Sequence, residues 1–284
     1  MKTYSSKPSK REQIRRVDCN YCGGSDLVFH YHTDGVDYYR CLGCGLIFQN
    51  PMPVQEDLLQ RYDTRYYDYE MENEKQFFEL MKLALGDVEF WDWGKNPGPG
   101  KWLLDIGCAT GMLLEFLRDS EGWNTEGVEV CEAAVAYGRE KRGLSIFQGT
   151  LQEASFPESS FDVVHASHVI EHVPDPSAFL REIYRVLKPG GKLIITTPNA
   201  AGLQSRIFKN KWRSAIADHV FLFTKKTLSA YLLRTGFTII KTKTWGGIAK
   251  GVTAAWIKRL LDSFAKSFGC GDVMVCLGEK AVFQ

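Results

Sequence analysis

An α/β architecture behind a small cysteine-rich module is what this sequence predicts, and three observations carry it. From Lys101 onward, short apolar runs alternate with helix-period segments, the pattern of a mostly parallel sheet covered by helices on both faces. The stretch from Trp102 to Leu114 reads as a buried strand, a glycine-rich turn and a helix start. Ahead of both, two C-x-x-C pairs sit at Cys19/Cys22 and Cys41/Cys44.

Length and charge bound the reading. A chain of 284 residues accommodates one α/β domain of about 200 residues and a small appendage. It has no run of about 18 apolar residues, so no membrane-spanning helix is expected. The start, Met1 to Lys10, is polar and basic and lacks the apolar core of an export signal. A formal net charge of +1 argues against a mainly electrostatic nucleic-acid binder. Lys7, Lys10, Arg11, Arg15 and Arg16 make residues 1–18 a basic arm, read as a flexible, solvated terminus. A reducing, cytoplasmic compartment is expected, without disulfides.

Residues 19–50 read as a zinc ribbon. Four thiolates at Cys19, Cys22, Cys41 and Cys44 suit a tetrahedral, closed, structural Zn²⁺ site. Gly23, Gly24, Gly43 and Gly45 permit tight knuckles whose amides point at the sulfurs. Between the pairs, Leu27–Tyr31 and Val36–Arg40 flank an Asp34-Gly35 turn, which predicts a hairpin. His30 and His32 are expected to be exposed on it, since four cysteines complete the shell. Such a unit could dock on the rest of the chain or hold a substrate or partner. Cys108, Cys131, Cys270 and Cys276 are scattered among apolar residues and read as core fillers.

A helical connecting segment spans 51–100. Pro51 and Pro53 open it and the Pro97–Gly100 cluster closes it. Tyr62, Tyr66, Tyr67 and Tyr69 precede a helical run in which Phe77, Leu80, Met81 and Leu85 could share one face. Residues 101–284 form the main domain. Expected strands are Lys101–Ile106, Asn124–Val130, Ser145–Gln148, Phe161–Ser167, Lys192–Thr197, Thr238–Thr242 and Asp272–Gly278, seven in all. Helices are expected over Met112–Arg118, Cys131–Lys141, Phe179–Leu187, from Thr224 to near Arg234, and over Thr253–Phe268. The last has an apolar stripe of Trp256, Ile257, Leu260, Leu261 and Phe264, which is expected to pack on its own domain or on a second copy in a homodimer.

The glycine turn has a chemical meaning. Glycines let a ligand approach bare backbone, and the helix start supplies N–H groups and a partial positive charge. Asp105, Gly107 and Gly111 form D-x-G-x-x-x-G rather than the dinucleotide G-x-G-x-x-G. This pattern resembles motif I of the class I S-adenosylmethionine-dependent methyltransferases, of the type that acts on small molecules. Phe161-Asp162-Val163-Val164, the segment Ala166 to Pro176, and Lys188-Pro189-Gly190-Gly191 are similar to later segments of that family, in the same order. The resemblance covers roughly Trp102 to Phe237, on the order of half the chain.

The resemblance implies a Rossmann-like three-layer sandwich with a mostly parallel seven-stranded sheet, its last strand antiparallel, and S-adenosylmethionine as cofactor. The cofactor is assigned to Asp105, Gly107, Cys108, Ala109, Gly111, Glu129, Val130, Thr150, Leu151, Ser167 and His168. Glu129 closes the second strand, where a carboxylate can accept both ribose hydroxyls; Glu126 is the alternative. The usual acid of the adenine segment falls on Thr150, so adenine would rely on Leu151 backbone and on Thr150 or Gln152. Leading helices in the family often cover the cofactor, and residues 200–224 resemble its substrate-covering insertion.

For catalysis, the sulfonium is already activated, and positioning supplies much of the rate. His168, at the carboxyl end of the fourth strand, and His172, one helical turn on, are candidate general bases; His219 comes from the insertion. Alternatively His168, Glu171, His172 and His219 hold a divalent metal. Some quinone-biosynthesis and RNA-end methyltransferases carry Glu-x-x-Glu-His here and use one, and His168 stands in the first Glu position. The plainest alternative is that Glu171 and His172 orient the loop. The expected reaction is methyl transfer to a small molecule, such as a sugar or polysaccharide precursor. Its rivals are an RNA or protein methyltransferase gripping its substrate through the ribbon, and a non-catalytic cofactor-binding module.

Overall fold

The computed structural model of the chain describes residues 12–95, 97–246, 265 and 268–282. The basic residues Lys7, Lys10 and Arg11, and Trp256, Ile257, Leu260, Leu261 and Phe264 of the expected last helix, lie outside the described residues.

The N-terminal part begins with β1 (Ile14–Arg15), the hairpin β2 (Leu27–Thr33) and β3 (Val36–Cys41), then β4 (Ile47–Gln49) and β5 (Met52–Pro53). Asp34 and Gly35 take φ of 51° and 80°, the left-handed pair that a two-residue hairpin turn requires. Strand β4 adds to β3, a third strand that the sequence reading did not anticipate. Helices α1 (Gln55–Leu59), α2 (Thr64–Asp87) and α3 (Phe90–Trp93) follow. The Asp63 carboxylate caps α2 by accepting from the Arg65 and Tyr66 amides. Helix α2 turns Phe78, Met81, Ala84 and Leu85 inward. Leu80, expected on that face, is exposed because it falls off this stripe of three- and four-residue steps. Phe77 instead meets Tyr69, ring centroids 5.7 Å apart.

The main domain runs β6 (Trp102–Ile106), α4 (Met112–Glu121), β7 (Asn124–Glu129), α5 (Glu132–Arg142), β8 (Ile146–Gln148), α6 (Leu151–Ala154), β9 (Phe161–Ser167) and α7 (Pro176–Val186). It continues with β10 (Leu187–Pro198), α8 (Leu203–Phe208), β11 (Phe221–Leu222), α9 (Lys225–Thr235), β12 (Phe237–Trp245) and β13 (Val273–Lys280). Helix α7 starts earlier than expected, because Pro176 suits a first helical turn and Asp175 accepts from the Ala178 amide.

Seven strands form one sheet in the order β12-β13-β10-β9-β6-β7-β8. Only β13 runs antiparallel to its neighbours β10 and β12. The parallel strands are buried on both faces, so adjacent residues serve opposite layers. Leu103 and Val163 pack with Leu113, Leu117 and Leu85 of α4 and α2. Leu104 and Val164 pack with Phe179, Ile183 and Leu232 of α7 and α9. The chain leaves β6 toward β7 on one side and reaches β9 on the other, so a crevice opens at the carboxyl ends of β6 and β9.

The cysteine module is built into this body. Strand β11 pairs with β4, giving a second sheet in the order β11-β4-β3-β2. Cys19, Leu46 and Phe48 share a core with Phe221, Phe223 and Tyr231. No helix among the described residues is long and apolar enough to cross a membrane.

Candidate active site

The glycine turn lies at the mouth of the crevice. Gly107 and Gly111 have φ of 68° and 81°, in the region that glycine alone enters freely. A side chain at Gly107 would come within 2.6 Å of Val169, and one at Gly111 within 2.3 Å of Leu144. The loop therefore touches the segment that carries His168 and His172. Asp105 is buried, and its carboxylate meets His165 Nδ1 at 2.7 Å, because β6 and β9 set these residues side by side. The Cys108 side chain turns into the core beneath Gly127, so only its backbone can face a ligand.

Glu129 ends β7 and is buried. One carboxylate oxygen accepts from the Ala109 amide at 2.9 Å; the other accepts from Val130 and Cys131 at 2.8 and 2.9 Å. Burial pushes its carboxyl up, and these three donors oppose the shift. Glu129 thus ties the glycine loop to the next helix start. Glu126 points elsewhere and accepts from Ser145 at 2.7 Å. Thr150 does not offer a free hydroxyl: it caps α6, exchanging bonds with Glu153 in a capping box. Leu151 is buried and Gln152 is exposed.

Helix α2 covers this side. Tyr62 and Tyr66 stack edge-on at 4.9 Å, and Tyr62 lies 6.3 Å from the His172 ring. Burial raises both phenols well above their ordinary value, with the Glu129 carboxylate adding to it. Glu70, one turn on, is pushed from 4.5 up to about 8 by burial and by Glu129. Glu74 accepts from the Thr110 hydroxyl in the glycine loop and from Arg142 at 2.8 Å.

At the carboxyl end of β9, His168 has φ of 56°. Its Nδ1 donates to Glu171 at 3.0 Å, leaving Nε2 on a half-exposed ring. Glu171 is buried and also accepts from Thr197 at 2.9 Å. Burial would raise its carboxyl, but the His168 bond and the nearby histidines hold it at about 2. His172 Nδ1 donates to the Asp218 carbonyl at 2.9 Å, and His219 Nδ1 to the Ser214 carbonyl at 2.8 Å. A carbonyl can only accept, so in the neutral form each ring keeps Nε2 as a lone pair. Burial, then His172, lowers His219 to about 3. The two rings are 4.7 Å apart. Ligand atoms of Glu171, His172 and His219 lie within 4.8 Å of one another; His168 is not part of that group.

The four cysteine sulfurs also lie within 4.8 Å of one another, with Cys19–Cys44 and Cys22–Cys41 at 3.5 Å. A tetrahedron with metal–sulfur bonds of about 2.3 Å has edges of about 3.8 Å, so this cluster is compatible with zinc. Burial pushes the Cys41 thiol up, but the Cys44 amide, the Cys22 sulfur and the Gly43 amide outweigh it and hold the thiol at about 7. His30 and His32 are exposed, as expected.

Sequence reasoning missed His165, whose partner Asp105 is visible only in the sheet register. It also missed Glu70 and Glu74 of α2. The capping role of Thr150 was available as the local pattern Thr-x-x-Glu.

The comparisons bear on this geometry. The family described as a methyltransferase domain matches residues 79–242, more than half of the chain. A ubiquinone biosynthesis O-methyltransferase from Hahella chejuensis is 36% identical over 141 residues, 48% of this chain and 57% of that protein. The protein of the same name from Pseudomonas aeruginosa UCBPP-PA14 is 35% identical over 106 residues, 35% of this chain and 45% of that protein. The chain thus spans about half the length of the curated relatives it matches. A solved S-adenosylmethionine-dependent methyltransferase from Archaeoglobus fulgidus shares the fold with a TM-score of 0.54 at 22% identity, covering 75% of this chain and 99% of that one. With the glycine loop, the strand order and the family match in agreement, the chain belongs to the class I S-adenosylmethionine-dependent methyltransferases.

Proposed function

We propose that this methyltransferase moves the methyl group of S-adenosylmethionine to a hydroxyl of a small molecule, with His168 as general base. The observation that carries the reading is the His168–Glu171 pair beside the glycine loop. Glu171 is ionised and fixed from behind by Thr197, so it orients the imidazole and stabilises its protonated form. His168 Nε2 then takes the hydroxyl proton as the oxygen attacks the methyl carbon and the sulfonium leaves as a neutral thioether. Asp105, Gly107, the backbone of Cys108 and Ala109, Gly111, Glu129 and Val130 hold the cofactor, with Glu129 on the ribose diol. Leu151 backbone and Ser167 complete its walls. The relatives' names support an oxygen acceptor and lend nothing to a sugar.

A second reading has one favouring observation. His172 and His219 both spend Nδ1 on backbone carbonyls, the arrangement that readies Nε2 for a metal, and Glu171 completes the group. These residues fit a divalent cation, which when bound would lower the pKa of a coordinated hydroxyl. We further propose that Cys19, Cys22, Cys41 and Cys44 hold one structural zinc.

The test uses methyl transfer from labelled cofactor to a catechol panel, with metal analysis of the purified chain. His168→Ala is expected to slow turnover about 10²-fold or more while S-adenosylhomocysteine affinity stays within about twofold. An unchanged rate rejects the base. One zinc per chain supports the ribbon site alone; a second divalent ion, lost with turnover in His172→Ala, favours the metal reading instead.

A further inference from the structure

The segment 212–220 carries His219 and joins the helical turn ending at Lys211 to β11. Its carbonyls are received by the cysteine module's sheet. The buried Tyr38 hydroxyl lies 2.7 and 2.6 Å from the carbonyls of Ile216 and His219. The Gln49 side-chain amide donates to Ala217 and His219 carbonyls at 2.8 and 3.1 Å. The Thr33 hydroxyl lies 2.8 and 3.2 Å from the carbonyls of Asn210 and Ala215. Buried carbonyls require donors, so these side chains select one path for the segment. On that path the Phe221 amide donates to the Glu171 carbonyl at 3.1 Å, and the His219 ring faces His172.

We propose that Tyr38 and Gln49 are positioning residues for the acceptor site: the cysteine module is a rigid frame that fixes His219 against His172. This rests on placing the acceptor beside Glu171 and His172. The frame is stiff where it matters, because β3 and β4 lie between β2 and β11 in one sheet and Phe48 is packed 6.0 Å from Phe221. Its other end is also anchored. Asn20, between the first two cysteines, donates to Asp175 at 3.1 Å and accepts from Tyr231 at 3.0 Å. Asp175 caps the helix that follows His172. Both flanks of the acceptor loop are therefore held by one small module.

The test is imidazole nitrogen NMR of the ¹⁵N-labelled full chain with S-adenosylhomocysteine as the probe ligand, alongside hydrogen exchange. In the wild type, His172 and His219 both give the Nδ1–H tautomer. Tyr38→Phe and Gln49→Leu are expected to shift or broaden the His219 signals and to speed exchange across 212–220 about tenfold. Affinity for S-adenosylhomocysteine should stay within about twofold. Tyr39→Phe, on the opposite face of the same strand, should leave every signal in place. Unchanged His219 signals and exchange in both variants would overturn the proposal. Where Tyr38→Phe does not fold, Thr33→Val carries the same expectation. Neither readout needs an acceptor, so this outcome is separate from that of His168→Ala, which tests the acceptor reading itself.

Discussion

Glu70 links the helical cover to the cofactor site through charge alone. It lies one turn beyond Tyr66, and burial and Glu129 push its carboxyl from 4.5 up to about 8. A carboxyl raised in the folded state binds its proton there while the unfolded chain has already released it. Stability must therefore fall as pH rises from about 4.5 towards 8. Glu70→Gln mimics the protonated form, so it should remove most of this decline. Thermal midpoints measured at pH 5 and pH 8 check it: the variant should gain on the wild type at pH 8 and nearly match it at pH 5. Equal declines in the two proteins would contradict the assignment. Periodicity shows Glu70 as one acid among many on α2, and only its burial and its proximity to Glu129 make it unusual. His165 is similar: the sequence places it in an apolar strand, while the sheet register alone brings Asp105 to its side.

At the level of elements, what was legible is what is local. Strand β9 spans the expected Phe161–Ser167, and the Thr224 cap, the Asp34-Gly35 turn and the glycine loop all rest on neighbouring residues. What was not legible are polar contacts between distant parts of the chain. Arg61 shows the reason. It is buried, and it joins Glu12 at 2.7 Å to Asp218 at 3.1 Å, fastening the connecting segment to the insertion that carries His219. No spacing rule says which remote carboxylate will meet an arginine. Removing it takes a shared, buried guanidinium from both carboxylates, so Arg61→Met should cost about 3–5 kcal/mol. Chemical denaturation would measure this, and a loss below about 1 kcal/mol would show that the triad is solvated rather than buried.

Across the whole molecule, two sheets share one core, and the small one is completed by a strand from the large domain. A module that reads as an appendage is thus packed into the main domain, against the segment that carries His219. The crevice arises where the strand order reverses, between β6 and β9, and both the glycine loop and the His168 segment open there. Every functional statement depends on that crevice holding the cofactor. Calorimetric titration of the wild type and of Glu129→Ala with S-adenosylhomocysteine tests it most directly. One site per wild-type chain is expected, with an affinity at least about tenfold weaker in the variant, since buried charge-assisted bonds to the ribose are lost. Absence of binding heat in folded wild-type protein, or equal affinity in the two, would contradict it.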